Sequence, residues 1–410
     1  MLERSQNWCR LSAGFLCFVV ASNSDVAAQA PLPGRHAVSE ADWTAGELFE
    51  AVVQAIGTSY HDRDFRQQTW PELASRYAEA ARTANSRDEE RAVVDALLGS
   101  IPNSHVALYS KPTYDHLLAE LSARDAPTFG LELEQRAGRF FATGVLEGGP
   151  AERAGVRRGD RVLAIDGVVA GASPRLDRRS DDAHLPDPPR HGLLGEVDDT
   201  VELTLQDAPD ATPRTVTVRC QEYSAWRAAQ ASVATCEVDG RRVGYVHYWF
   251  VHLGGVHGHF RELLRGAFAD CDACVLDLRG RGGDAAAVAP LLAAVRAAGR
   301  PIVALVDAGT RSAKEVIAYR LQREGLATLV GEHTARAVIP ATFRRVGAAD
   351  VLMFPTFTLG EFTTAIEGIG VAPDVEQVDR LVYAHGDDPI LGAGLRVAAN
   401  SVRRGAQRAR

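Results

Sequence analysis

The sequence predicts an α/β protein built from three consecutive regions, and three observations carry that prediction. Apolar residues recur at helical spacing up to about Leu118, short alternating runs separated by turn residues follow to Cys220, and strand-like and helix-like segments alternate to about Val382. The last pattern implies an α/β domain with a largely covered sheet. The expected units are an export signal at 1–30, a helical region at 41–118, a β-rich domain at 124–220, an α/β domain at 235–385 and an Arg-rich tail at 386–410.

With 410 residues the chain has room for two or three domains. Hydrophobic residues at 46% and charged residues at 24% are those of a globular protein, which excludes collagen-like and disordered classes. A net charge of −8 provides no overall basic field, so no nucleic-acid partner is expected. Of the 45 basic residues only two, Lys111 and Lys314, are lysines.

Arg4 and Arg10 precede an apolar run from Leu11 to Ala21, and Ala28-Gln29-Ala30 has the small-x-small pattern read by signal peptidases. The run is too short to span a bilayer stably. The expectation is cleavage after Ala30 and a periplasmic or secreted protein without a membrane span; an uncleaved N-terminal anchor is the alternative. Cys17 follows Leu16 rather than a small residue, which argues against a lipoprotein. Cleavage leaves Cys220, Cys236, Cys271 and Cys274 in a compartment that permits disulfides. Cys271-x-x-Cys274 lacks a second pair and runs into an apolar strand, so a structural role or buried thiols are expected, with no metal and no cofactor.

In the first region Leu48, Val52, Val53 and Ile56 mark one helix face, and Pro71 opens a second helix. Ser86, three residues before Glu89, makes a capping box for a third that ends at Gly99. A loop with Asn103-Ser104-His105 follows.

The second region reads as strands at 129–133, 140–145, 161–165, 201–205 and 216–218. Its centre, "PAERAGVRRGDRVLAIDG", describes a short helix stopped by Gly155, a Gly-Asp turn, a strand and an Asp-Gly turn. This stretch resembles PDZ domains. The resemblance implies capture of a polypeptide C-terminus, with its carboxylate held by the loop Thr128-Phe129-Gly130-Leu131. Ser173 to Arg190, rich in Pro, Asp and Arg, reads as a solvated insertion.

The third region predicts strands at 243–250, 274–278, 301–306, from 328, and 351–358, with helices at 286–298 and 313–324. Two of its turns carry chemistry. In Asp277-Leu278-Arg279-Gly280-Arg281-Gly282-Gly283-Asp284, the spacing to Ala285 and Asp307 imitates a dinucleotide fingerprint. Asp284 argues against it, because a carboxylate at that helix start repels pyrophosphate. In Asp307-Ala308-Gly309-Thr310-Arg311-Ser312, the serine begins a helix whose N–H groups could stabilise an oxyanion. Ser312-x-x-Glu315 is equally a capping-box string, and residue types alone leave cap and nucleophile open.

"DLRGRGGD", "LVDAGTRSAKEV", "TLVGEHTARAVIP" and "IEGIGVAPDV", in that order, resemble the C-terminal processing peptidases and the catalytic core of tricorn protease. The resemblance implies a ClpP/crotonase-like α/β serine protease domain preceded by helices and a PDZ domain. It implies Ser312 as nucleophile and an oxyanion hole from Ala313 with Gly282 or Gly283. The lysine that activates the serine in the processing branch is replaced by Ala337, and Arg336 beside it cannot deprotonate. Lys314, two residues along the helix from Ser312, points to another face. The tricorn-like branch implies His105 as base, with Ser104 and Glu367 orienting its ring, a coherent set for activating a hydroxyl. His247, His252, His257 and His259 have no carboxylate or cysteine at ligand spacing and are expected on a strand and loop lining the cleft. The function expected is an exported serine endopeptidase acting on PDZ-captured polypeptides. The alternative is a silent relative that binds peptide or lipid.

Overall fold

Helical periodicity in the first region is realised as three helices. In the computed structural model, which describes residues 43–178, 190–252, 254–347 and 349–408, these are α1 (Glu47–Ser59), α2 (Trp70–Arg82) and α3 (Arg87–Leu98). The export-signal expectation lies outside the described residues. Ser86 caps α3 by accepting the Glu89 N–H, while the Glu89 carboxylate takes the N–H of Asn85. Leu48, Val52 and Ile56 of α1 pack with Trp70, Val94 and Leu97 into one core.

This region is not purely helical. After α3 comes a strand, β1 (Ala107–Ser110), and then α4 (Lys111–Leu121). β1 pairs antiparallel with a strand more than 200 residues later, described below, because its apolar residues have no sheet partner nearby in sequence.

The β-rich part comprises β2 (Ala126–Thr128), β3 (Leu131–Arg136), β4 (Arg139–Val145), the short helix α5 (Pro150–Arg153), β5 (Arg161–Ile165), β6 (Val168–Val169), β7 (Leu176–Arg178), β8 (Arg190–Leu193), β9 (Thr200–Gln206), β10 (Arg214–Arg219) and β11 (Gln221–Tyr223). The main sheet has the order β10-β9-β5-β4-β3-β8-β7, with β6 beside β5. Gly155, at φ +84°, ends α5, and the following Val156 N–H returns to the Ala151 carbonyl. The stretch 173–190 is not simply a solvated insertion: Ser173 is buried and its two ends form the antiparallel pair β7–β8. Its polar composition concealed two short edge strands; 179–189 lie outside the described residues.

The α/β part follows as α6 (Ala225–Ala231), β12 (Ala234–Val238), β13 (Arg241–His247), α7 (Val256–Arg265), β14 (Ala273–Asp277), α8 (Val288–Arg296), β15 (Ile302–Val306), α9 (Ala313–Arg323), β16 (Thr328–Gly331), β17 (Ala341–Val346), β18 (Asp350–Pro355), α10 (Glu361–Ile366), β19 (Val375–Glu376) and α11 (Pro389–Arg408). Its six-stranded sheet runs β12-β13-β14-β15-β16-β19, parallel from β13 onward. Every residue of β14 and β15 is buried, as a sheet covered on both faces requires. One face packs on Phe260, Leu291, Ile317 and Leu321 of α7, α8 and α9.

The other face corrects the sequence reading of 386–410 as a tail. α11 lies across it, with Ile390, Ala393, Ala398 and Ala399 against Val243, Val275, Val303 and Leu305. Its arginines disguise an amphipathic helix of 20 residues. Strand β18 also departs from expectation: it leaves the parallel sheet and pairs with β1 and β17 in a sheet of order β1-β18-β17. Arg87 and Arg91 of α3 both reach Asp350 at its start. No helix among the described residues is long and apolar enough to cross a membrane.

A Cβ at Gly394 of α11 would stand 2.3 Å from Leu305 Cδ2 in the core. Gly394→Val is therefore expected to destabilise by about 1–3 kcal/mol through overpacking. Calorimetry should show a lowered Tm; an unchanged Tm would mean that α11 does not press on the sheet.

Candidate active site

The C-terminal ends of the parallel strands open into a cleft of about 750 Å³, the usual ligand position of such sheets. His105, Tyr109 and Tyr114 line one side, Glu132, Thr143 and Val145 of the β-rich part another, and Gly280 to Gly283 with Ser312 the floor.

Ser312 joins β15 to α9 with φ 57° and ψ −128°, a backbone state that non-glycine residues rarely hold. Its N–H donates to the Ala337 carbonyl at 2.7 Å. Its hydroxyl makes no capping hydrogen bond. The Glu315 carboxylate likewise turns away from the capping-box role and accepts from the Thr334 hydroxyl and the N–H groups of Arg336 (2.9 Å) and Ala337 (2.7 Å). The capping reading that the sequence left open is excluded by these contacts.

The loop after α3 brings a second strained residue to the cleft, His105 at φ 58°. Its Nδ1 lies 2.8 Å from Ser104 Oγ, which donates to Glu367 Oε2 at 3.1 Å. Because that hydroxyl proton is committed to the carboxylate, Nδ1 must carry the ring proton and donate to Oγ, leaving Nε2 as an acceptor in neutral His105. Glu367 also receives the Ser104 N–H at 2.8 Å and those of Val338 and Ile339 at 2.8 and 2.9 Å. A continuous path therefore runs from Ser312 to Ala337, along the chain to Val338, through Glu367 to Ser104 and His105. Asn103 steadies the loop from behind by donating to the Tyr60 hydroxyl at 2.7 Å.

Gly282 packs directly on the serine: a Cβ there would lie 3.3 Å from Ser312 Cβ. Ala313, first residue of α9, presents an N–H that helix geometry leaves without an intrahelical acceptor. Asp307 Oδ1 accepts the Gly280 N–H at 2.9 Å, and Asp284 Oδ1 accepts that of Ala286 at 2.8 Å. The two carboxylates that bear on the dinucleotide-like pattern, Asp284 at the helix start and Asp307 just after the next strand, thus each accept from the protein's own backbone.

Other expectations change. Thr128, Phe129, Gly130 and Leu131 are all buried. The Gly130 N–H is held by Thr128 Oγ1, and the carbonyls of Phe129 and Gly130 accept from Ala151 and Leu146, so this loop does not present the expected carboxylate site. Packing of Phe129 into the β-rich core closes it. Of the four histidines assigned to the cleft wall, only His247 lines it. His257 and His259 lie on α7, which the sequence reading missed, and His252 and His259 flank Trp226. No group of three metal-capable side chains occurs among the described residues. All four described cysteines are unpaired, and burial pushes the thiols of Cys220 and Cys274 up to about 11 and about 12.

Sequence reasoning set aside Lys314, which proves to be fully buried with Nζ on the carbonyls of Trp249 and Arg279. Burial pushes it down to about 7. Its signal was its position among the core residues Ala313, Val316 and Ile317. Also unforeseen are Arg281, whose guanidinium reaches Glu132 at 2.6 Å and Glu120, and Arg190, which lies 3.4 Å from Asp307.

Residues 291–377 match the model of Peptidase family S41, and 141–174 that of the PDZ domain. The chain is a serine-type peptidase with a PDZ segment. It is 25% identical to a carboxyl-terminal-processing protease of Synechocystis sp. over 360 residues, covering 78% of this chain and 79% of that one. A tricorn protease homologue of Streptomyces coelicolor is 26% identical over 408 residues, 87% of this chain and 32% of the relative. The fold matches the photosystem II D1 C-terminal processing protease with a TM-score of 0.51 at 20% identity, covering 85% of this chain and 99% of that one.

Burial raises the Glu315 carboxyl to about 7, against the lowering effect of its hydrogen bonds. A carboxyl raised on folding stabilises fully below its unfolded pKa, near 4.5, and loses that contribution as pH rises toward 7. Glu315→Ala should therefore lower Tm more at pH 5 than at pH 8. An equal or opposite difference would show that the group folds in as a carboxylate.

Proposed function

We propose that the protein is an exported serine endopeptidase in which Ser312 is the nucleophile and His105 the base. The observation that carries the reading is a strained serine whose hydroxyl is not used as a cap, sharing one cleft with an imidazole held by Ser104 and Glu367. In the reaction Ser312 Oγ attacks the peptide carbonyl while His105 Nε2 takes its proton. The oxyanion is met by the N–H of Ala313 with that of Gly282 or Gly283. His105 then protonates the departing amine, and water, deprotonated by the same ring, releases the acyl group. Ser104 and Glu367 are positioning residues: they fix the ring tautomer and offset the charge it gains.

Capture of a polypeptide by the PDZ segment is the second part of the proposal. Its support is the PDZ match and the contribution of β3 and β4 to the cleft wall. Export rests on the N-terminal sequence pattern alone.

A fluorophosphonate probe should label the mature wild type and fail to label Ser312→Ala. His105→Ala should lose at least about 10³-fold in labelling rate and in peptide hydrolysis, and Glu367→Gln roughly 10²–10⁴-fold in kcat. Well-folded wild-type protein that does not label would favour the peptide- or lipid-binding reading. Full labelling of His105→Ala would remove the histidine from the mechanism.

A further inference from the structure

Lys314 sits on the first turn of α9, two residues beyond Ser312, with no exposed surface. An ammonium in such a place must find acceptors. Its Nζ donates to the carbonyl of Trp249 at 2.8 Å and to that of Arg279 at 3.0 Å. The two carbonyls occupy equivalent places: β13 and β14 run in parallel register until His247 meets Asp277, and Trp249 and Arg279 each lie two residues past that last pair. Beyond them the two segments meet again. Val251 N–H donates to Gly282 O at 3.3 Å, Asp284 N–H donates to Val251 O at 2.7 Å, and Val251 bridges Gly283. Lys314 thus fills the interval in which the pairing lapses, immediately before the glycines that face the serine.

Other contacts hold the glycine turn from different sides. Asp307 takes the Gly280 N–H, Glu132 and Glu120 take the Arg281 guanidinium, and His247 Nε2 lies 3.4 Å from the Arg279 carbonyl. Of these side chains, Lys314 alone bonds both the 249–251 segment and the 279–283 segment, adding to the Val251 backbone contacts. Both of its partners are carbonyl acceptors and neither is the Ser312 hydroxyl, so its geometry is that of a brace rather than a base.

We infer that Lys314 is a positioning residue for oxyanion stabilisation: by fixing the Trp249 and Arg279 carbonyls it sets the direction in which the Gly282 N–H faces Ser312. This deepens the proposed function and rests on Ser312 as nucleophile. A misdirected donor weakens binding of the oxyanion more than binding of the substrate, so the loss falls on kcat.

The test is Lys314→Met, which keeps an unbranched side chain one atom shorter and removes its donors. Competent sites are counted by fluorophosphonate titration, and kcat per titrated site and KM are measured on a quenched peptide cleaved by the wild type. The affinity of a peptide aldehyde of the same sequence, whose hemiacetal oxygen uses the same N–H groups, is measured alongside. The expected result is a fall of about 10²-fold in kcat per site, a parallel loss of aldehyde affinity and a KM within about twofold of wild type. A purely structural role would lower the titratable fraction and leave kcat per site unchanged, which overturns the inference. Should Lys314→Met not fold, Lys314→Leu, which likewise has no donor, is read by the same criteria. A wild type that neither labels nor turns over overturns the reading of Ser312, and this inference with it; an active wild type with an unaltered variant overturns this inference alone.

Discussion

One carboxylate holds the two halves of the site in register. Glu367 accepts from the Ser104 N–H, the Ser104 hydroxyl and the N–H groups of Val338 and Ile339. It therefore ties the loop after α3 to the segment that cradles Ser312, although more than 230 residues separate them in sequence. A carboxylate suits this place because it only accepts, and its charge strengthens each bond. The β1–β18 ladder and the Arg87 and Arg91 contacts with Asp350 bring the first region to the α/β part. Glu367 then fixes the final placement of the imidazole.

Strain at Ser312 is the counterpart of that fixation. Holding a non-glycine residue at φ 57° costs on the order of 1–3 kcal/mol. The surroundings impose it: β15 is buried on both sides, α9 is packed by Ile317 and Leu321, and the Ala337 carbonyl fixes the serine N–H. Ser312 thereby lines the cleft without its hydroxyl capping its own helix.

What was legible in the sequence, and what was not, follows from the range of the interactions. Alternation and turn residues located β5, β14 and β15 to within a residue, because those signals are local. Strand β18 was visible as a strand while its sheet was not, since an apolar run does not name its partner. In the site, Ser312, His105, Ser104 and Glu367 are singled out by family resemblance; His105 and Ser312 line one cleft, while Ser104 and Glu367 are hydrogen-bonded behind the imidazole. Physical reading alone stopped at the ambiguity between cap and nucleophile, which only the direction of the Glu315 side chain removes. Lys314 was judged by where it could not point, and the carbonyls that receive it, on two separate strand ends, leave no trace in spacing. The closure of Thr128 to Leu131 was likewise hidden, because it depends on Phe129 entering a core formed by strands far along the chain.

Ala337, in place of the processing-branch lysine, has consequences for the whole arrangement. Its N–H is taken by Glu315 and its carbonyl by Ser312, so the position serves as backbone support without contributing a side chain to proton transfer. A base must then come from elsewhere. In the proposed relay it comes from the loop after α3, which has no covalent neighbour in the parallel sheet and is held by hydrogen bonds and strand pairing. Under that proposal catalytic competence is conditional on docking of the first region: loss of the β1–β18 ladder or of Glu367 would leave Ser312, Ala313 and Gly282 in place and remove only the imidazole. A lysine on the α/β part itself would not carry that dependence, so the choice of histidine couples the chemistry to assembly of the chain's two ends.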